Sequence, residues 1–531
     1  MNEPAAGFDF EVSRRRLLAA AGLGAGAAVA GSWGLSAQAA EAGGEAGAPS
    51  LRGAAPVAGL HLQFGADASA QMTISWHTLE PVERPQILLG RMDGRLERTL
   101  AAETVSYEDA KSRRTVYAHH ARIDGLRPDT AYLYAAMHDG AAPQCATFRT
   151  APRGRAAFTF TSFGDQGTPT MRREFAAPAE VTAPSPLYLN DNLGSPAAAD
   201  TTMGVERVAP LFHLFNGDLC YANLAHDRVR TWWDFWENNS RSAARRPWMP
   251  SAGNHENELG NGPIGYRAYQ TYFSLPKTPG QTEVTRGLWY AFTVGAVRVV
   301  SIANDDVCYQ DGGDSYVRGY SAGRQKAWLQ AELAQARGNP EIDWIVVCMH
   351  QVAISTADKF NGADLGVREE WSPLFDRYGV DLVVCGHEHH YERSHPLRGH
   401  EANATLTPRP AASATDVIDT TRGTVHMVIG GGGTYKPSHQ LIFDPPQCRV
   451  ITAVGPRDPV TGKRAPVYVH EPAPWSAVRN AGHGYGFAAF AVDPGSRGAM
   501  TTMRVTYYDV TGPDGQLEAY ETFTLARPRG G

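Results

Sequence analysis

From residue 158 onward, short apolar runs stop abruptly at a polar residue beside glycine. Residues 158–163 run into Gly164-Asp165-Gln166-Gly167, and 211–215 into Asn216-Gly217-Asp218-Leu219-Cys220-Tyr221. Residues 248–251 lead to Ala252-Gly253-Asn254-His255-Glu256, 342–347 to Cys348-Met349-His350, and 380–384 to Cys385-Gly386-His387-Glu388-His389. Apolar runs of this length with such boundaries predict buried strands. Each ending carries an oxygen or nitrogen donor, and ligands in open α/β sheets collect outside the carboxyl ends of the strands. The five endings therefore predict one shared site. His387 and His389 lie two apart, so they face the same way while the chain stays extended. Neutral imidazole is the commonest metal ligand.

Helical spacing predicts helices over 228–238, 323–337 (Trp328, Leu329 and Leu333 inward) and 369–378. Residues 503–509 and 519–525 predict a closing hairpin. The polar stretch 169–202 is too long for a simple connection and predicts a helix plus a surface excursion. The glycines at 430–433 fit either a phosphate cradle or a tight turn near the site. Upstream, the pattern changes to short alternating strands at 61–64, 72–76, 86–89, 131–134 and 146–148. That spacing predicts a β-sandwich of about 100 residues, with Trp76 in its core. Gly125-Leu126-Arg127-Pro128-Asp129-Thr130-x-Tyr132 resembles the corner segment of fibronectin type III domains. No metal or nucleophile constellation occurs here, so the domain reads as a support, with carbohydrate or protein binding as the alternative.

At 531 residues the chain is too long for one ordinary core. Its 43% hydrophobic and 20% charged residues are those of a globular protein, and a net charge of −6 gives no reason to expect a nucleic-acid partner. Ser13-Arg14-Arg15-Arg16 opens an Ala/Gly-rich apolar segment, and Ala37-Gln38-Ala39 fits the small-residue cleavage rule. This resembles a twin-arginine export signal; the alternative is an uncleaved anchor, for which the segment is short and glycine-broken. Residues 40–55 read as a linker, and no stable membrane span is expected after cleavage. Of the six cysteines (145, 220, 308, 348, 385, 448), Cys348 and Cys385 sit two residues before a candidate ligand at a strand end and Cys220 lies inside a candidate ligand loop, so buried free thiols are expected rather than a stapled framework. A Cys348–Cys385 link stays open.

The set Gly164-Asp165, Gly217-Asp218-Leu219-x-Tyr221, Gly253-Asn254-His255-Glu256, Val347-x-x-His350 and Gly386-His387-x-His389 resembles the five-block signature of the purple acid phosphatases, a branch of the binuclear metallophosphoesterases. The order matches, Tyr221 separates the purple branch from the rest, and the resemblance spans 158–523 together with the upstream domain. It implies an α/β metallophosphoesterase sandwich of two mixed sheets flanked by helices, preceded by an all-β fibronectin-like sandwich. The implied divisions are a signal over 1–39, the linker, an N-terminal fibronectin type III-like domain over 56–151 and a calcineurin-like catalytic domain over 152–527.

By the same resemblance, Asp165, Asp218, Tyr221 and His389 bind one metal ion, and Asp218, Asn254, His350 and His387 the other. Two carboxylates and a phenolate suit Fe(III); the nitrogen-rich pocket suits a divalent ion, Zn, Mn or Fe(II). His255 is the catalytic candidate, binding substrate oxygens or protonating the leaving group, unless it merely orients Asn254 or Asp218. Tyr391, Arg393 and His395 read as braces. Plant-type relatives carry further histidines after the His350 block, whereas 351–368 has none. That acid partner is either missing or replaced by Lys359, Asn361 or Asp364, which leaves the pH optimum open. The implied reaction is hydrolysis of small phosphate monoesters by a metal-bound hydroxide, in an exported enzyme. The rivals are a phosphodiesterase or nucleotide-cleaving enzyme on the same site, and a non-catalytic surface-binding protein.

Overall fold

The alternating apolar positions of the upstream segment close two four-stranded sheets over one core. Ala58–Phe64, Met72–Thr78, Thr115–Ile123 and Glu103–Glu108 form the first sheet in that order. Leu96–Ala101, Gln86–Arg91, Ala131–Met137 and Gln144–Arg149 form the second. The structure is a computed structural model describing residues 53–169, 194–310, 316–460 and 462–530. The expected export signal, most of the linker and most of the 169–202 excursion lie outside the described residues.

Trp76, Ile74, Ile87 and Tyr134 are fully buried in the sandwich core. The Tyr132 hydroxyl accepts the Arg127 N–H at 2.9 Å, which pins the expected corner. Three strands escape the sequence pattern. Leu96–Ala101 and Glu103–Glu108 are mostly exposed, so no apolar alternation marks them. Thr115–Ile123 buries His119 and His120 at positions where an apolar residue would be expected.

The second domain holds two seven-stranded mixed sheets. One runs Trp248–Pro250, Phe212–Phe215, Phe158–Phe163, Gly486–Asp493, Met500–Gly512, Gln516–Pro528, Val417–Asp419. The other runs Tyr290–Val294, Val297–Ser301, Trp344–Cys348, Leu382–Cys385, Val425–Ile429, Tyr391–Ser394, Ser476–Arg479. Side-chain alternation along Trp344–Cys348 shows the layering. Trp344, Val346 and Cys348 enter the core between the sheets, while Ile345 and Val347 join Leu329 and Leu333 of the helix Arg324–Gly338. The closing hairpin is longer than expected, with 13 residues in each strand. The expected 369–378 helix is two helices, Leu365–Glu370 and Ser372–Tyr378, with proline in the first turn of the second. Among the described residues, no helix is long and apolar enough to cross a membrane.

Histidines and aromatics join the two domains. The His61 ring stacks on Trp236 at 3.8 Å between centroids, with Nε2 2.8 Å from the Tyr272 carbonyl. His120 Nε2 lies 3.0 Å from the Thr271 carbonyl, and the Tyr134 hydroxyl donates to the Ala244 carbonyl at 2.7 Å. His77 meets Trp233 and Tyr272 edge to face, and neither of its ring nitrogens has a hydrogen-bond partner. A sandwich loop also reaches the second domain, where Ala110 N–H donates to Asn261 Oδ1 at 2.8 Å and Arg114 pairs with Asp227 at 3.2 Å.

Burial pushes these imidazoles down, to about 4 for His61 and His119 and about 3 for His77 and His120. Neighbouring imidazoles add to the effect at His77, His119 and His120. They are neutral in the folded chain but take up protons below about pH 6.5 once unfolded. The unfolded state then binds more protons, so stability falls as pH drops from about 6.5 toward 4. Thermal melts across that range are expected to show a falling Tm, with a shallower slope in His77→Leu. An unchanged slope in that variant would rule out the His77 contribution.

Candidate metal centre

Three neighbouring parallel strands of the first sheet, Phe158–Phe163, Phe212–Phe215 and Trp248–Pro250, deliver Asp165, then Asp218 and Tyr221, then Asn254 and His255 at their carboxyl ends. Two neighbouring parallel strands of the second sheet, Trp344–Cys348 and Leu382–Cys385, deliver His350, His387 and His389. The carboxyl ends of both sheets meet at this point. Four of these residues hold left-handed backbone conformations: Asp165 (φ 61°), Asp218 (52°), Tyr221 (57°) and His387 (71°). Such conformations are uncommon outside glycine and persist where the surroundings over-determine them. Two glycines allow the close approach. A Cβ on Gly253 would lie 2.3 Å from Asp218 Oδ1, and one on Gly386 would lie 2.3 Å from Asp165 Oδ2.

The donors fall into two touching groups. Asp165 Oδ1 lies 3.2 Å from the Tyr221 hydroxyl and 3.3 Å from His389 Nε2, and that hydroxyl is 3.1 Å from the same nitrogen. Asp218 Oδ2 lies 3.0 Å from His350 Nε2, which is 3.2 Å from His387 Nδ1. Asp218, His350 and His387 bring one donor atom each within 4.8 Å of one another. Asp165 Oδ2 joins the groups by accepting the His387 backbone N–H at 2.8 Å.

Each imidazole has its outer nitrogen against an acceptor. His350 Nδ1 meets the Asn216 carbonyl at 2.7 Å, His389 Nδ1 the Lys436 carbonyl at 2.7 Å, and His387 Nε2 the Gln310 Oε1 at 2.6 Å. With the outer nitrogen donating, the inner one keeps a free lone pair, as a metal ligand requires. Asn254 Oδ1 is buried without a hydrogen-bond partner. A buried orphan acceptor in the turn that carries His255, together with two carboxylates and three inward ring nitrogens, fits a site for cations.

The charges agree with that fit. Burial alone would lower His350, but the Asp218 and Asp165 carboxylates raise it to about 10, so without a cation its inner nitrogen holds a proton where a metal ion would sit. Burial and then the Asp165 carboxylate push the Tyr221 phenol well above its ordinary value. Glu256 grips the backbone of two loops of the site, accepting N–H bonds from Asp218, Leu219 and Gly253 at 2.7–2.9 Å. Burial and the Asp218 charge push its carboxyl up to about 8. His255 donates its backbone N–H to Asp218 Oδ1 at 2.8 Å. Its ring is 20% exposed, with Nδ1 2.9 Å from Asn223 Oδ1 and Nε2 3.9 Å from Asp218 Oδ2.

Several expectations are sharpened here. The glycines at 430–433 pack rather than cradle: added Cβ atoms would meet backbone at 2.2–2.8 Å, and the N–H groups of Gly430 and Gly432 bond to the carbonyls of His390 and Gly164. Arg393 is buried against Glu521 and Phe523, Tyr391 stacks on Tyr507, and His395 N–H donates to the Trp475 carbonyl. Cys220, Cys308, Cys348, Cys385 and Cys448 are buried free thiols, and Cys145 is only half-buried. In the histidine-free stretch, Lys359 is exposed, while Asp364 accepts backbone N–H bonds from Tyr309, Gln310 and Gly366. Sequence reasoning missed Gln310, Asn223 and the carbonyls of Asn216 and Lys436, which orient the rings from outside the motifs.

A dense set of O and N donors at the carboxyl ends of two packed mixed sheets defines a calcineurin-like metallophosphoesterase. Residues 57–150 match the family model of the purple acid phosphatase N-terminal domain, and residues 194–391 that of the calcineurin-like phosphoesterases. An uncharacterized protein of Mycobacterium tuberculosis is 60% identical over 479 residues, 90% of this chain and 89% of that protein. A purple acid phosphatase of Glycine max is 28% identical over 51% of this chain and 56% of its own length. The solved purple acid phosphatase of yellow lupin seeds shares the fold, with a TM-score of 0.61 at 18% identity over 89% of this chain and 75% of that one. The chain belongs to the purple acid phosphatase family. The family depends on two metal ions and hydrolyses phosphoesters.

The glycine contacts lead to a test. Gly253→Ala and Gly386→Ala are expected to lower bound metal, measured by elemental analysis, while the circular dichroism spectrum stays native. Full metal content in both variants would show that the carboxylates tolerate displacement.

Proposed function

We propose that this chain hydrolyses small phosphate monoesters with a ferric–divalent pair. Asp165, Asp218, Tyr221 and His389 hold the ferric ion, and Asp218, Asn254, His350 and His387 hold the divalent one. The reading is carried by the three imidazoles, whose outer nitrogens are engaged while the inner nitrogens of His350 and His389 face buried carboxylates and that of His387 faces His350. The first pocket gathers two carboxylates and a phenolate oxygen and suits a hard trivalent ion; the second adds only neutral donors to Asp218 and suits zinc, manganese or ferrous iron. When bound, such a pair generates a nucleophile from water near neutral pH and clamps the oxygens of an in-line displacement.

The His255 ring is free for the substrate. Its backbone N–H already orients Asp218, a task any residue could perform, and the ring lies beyond hydrogen-bond distance of that carboxylate. With Nδ1 against Asn223, Nε2 is available to bind a phosphate oxygen or protonate the leaving group. Diester or nucleotide cleavage is the second reading, favoured by the lack of any histidine over 351–368.

A set of variants tests the assignment. Asp218→Ala is expected to lose both metals and activity. His255→Ala should keep both metals and lose turnover by about 10²–10⁴-fold, the usual range for acid–base groups. The concentrated protein should be pink to purple through phenolate-to-iron charge transfer, and Tyr221→Phe should bleach it with two metals still bound. An active, iron-free, colourless protein would overturn the ferric assignment. Faster turnover of diesters than of monoesters would overturn the substrate class.

The proposal includes export by the twin-arginine route. It is supported by Ser13-Arg14-Arg15-Arg16 and the small-residue cleavage pattern at 37–39. Changing Arg14 and Arg15 to Lys is expected to leave an unprocessed chain in the cytoplasm. Unchanged export would point to another route.

A further inference from the structure

We infer that Gln310 and Asn361 form a directional hydrogen-bond clamp that sets the tautomer of His387 and thereby the affinity of the nitrogen-rich pocket for its metal ion. The inference rests on the metal assignment above and deepens it by naming two positioning residues outside every ligand motif. Three contacts close a ring. Asn361 Nδ2 donates to the His387 carbonyl at 2.7 Å, Gln310 Nε2 donates to Asn361 Oδ1 at 3.3 Å, and Gln310 Oε1 faces His387 Nε2 at 2.6 Å.

The direction of this ring follows from its one fixed member. A backbone carbonyl only accepts, so the Asn361 amide must turn its nitrogen toward it. Its Oδ1 then faces Gln310 and requires the Gln310 nitrogen. Gln310 consequently presents Oε1 to His387, and that oxygen can only accept. His387 must therefore carry its proton on Nε2, leaving the Nδ1 lone pair pointing toward His350 Nε2 and the Asp218 group. The His387 backbone carbonyl thus sets the tautomer of its own ring through two neutral amides.

Both amides are held from behind. The Tyr468 hydroxyl donates to the Asn361 carbonyl at 3.0 Å, and Arg449 stacks on the Tyr468 ring at 4.0 Å. The Asp364 carboxylate accepts the Gln310 backbone N–H at 2.9 Å and also caps the helix Leu365–Glu370. The histidine-free stretch thus supplies one clamp residue and the anchor of the other. Neither amide can exchange a proton with a leaving group, so both are positioning residues.

The test titrates the full chain, freed of metal by chelation, with Zn²⁺, and follows both sites and the melting temperature. Gln310→Ala and Asn361→Leu are each expected to weaken one site by about 10–100-fold, the usual effect of losing a partner behind a metal ligand. The other site and Tm should stay unchanged. Asn361→Leu decides the matter, because it keeps the approximate size but leaves neither a donor for the His387 carbonyl nor an acceptor to turn the Gln310 amide. The double variant should lose no more than either single one, since one broken link already opens the ring. Wild-type affinity in Asn361→Leu would overturn the clamp. Equal losses at both sites with a lowered Tm would reduce it to loop packing. A wild-type chain that binds no zinc would overturn the metal assignment itself.

Discussion

Two buried carboxylates from one sheet lie within bonding distance of imidazoles from the other, and most of the second domain is arranged to keep them there. A buried anion is costly unless paired and hydrogen-bonded. Asp165 meets that requirement by joining four segments. Its backbone N–H donates to the Gly217 carbonyl, its carbonyl accepts from Thr434, and its side chain takes the His387 N–H and faces the Tyr221 hydroxyl. Side chains larger than glycine at 253 and 386 would meet these oxygens. The left-handed turns at Asp165, Asp218, Tyr221 and His387 belong to the same constraint, since each strand must bend at once to bring its donor inward.

The strand ends were legible because buried parallel strands read as unbroken apolar runs, so a polar residue at their end stands out. Phe158–Phe163 and Val425–Ile429 have the boundaries that the apolar runs mark. The residues behind the ligands were not legible. Gln310 precedes its partner His387 by 77 positions in a segment without periodicity, and its role depends on an orientation set by a distant carbonyl. The exposed strands Leu96–Ala101 and Glu103–Glu108 are held by ladder bonds to neighbours, which leave little trace in their own side chains. Backbone conformation was hidden too, because aspartate, tyrosine and histidine do not announce a positive φ as glycine does.

The sandwich domain is more than an appendage to this geometry. The segment carrying Asn254, His255 and Glu256 continues into Glu258 and Asn261. There Asn261 Nδ2 donates to Glu258 at 2.8 Å, while its Oδ1 accepts the Ala110 N–H from the sandwich. The segment following Tyr221 is also tied across the boundary, through Arg114 to Asp227 and Lys111 to the Ala225 carbonyl. One loop of the sandwich therefore braces both segments that flank His255: the one carrying Asn223, which orients the ring, and the one carrying the ring itself. None of these bonds places a charge on the donor atoms of the site. Their effect is to restrict the loops, which are irregular backbone and would otherwise be freer than the strands they extend. Under the role proposed for His255 such positioning matters, because small displacements of a reacting group cost large factors in rate. The sandwich loop thus restricts the backbone that places the His255 ring, while the aromatic and histidine contacts hold the rest of the junction.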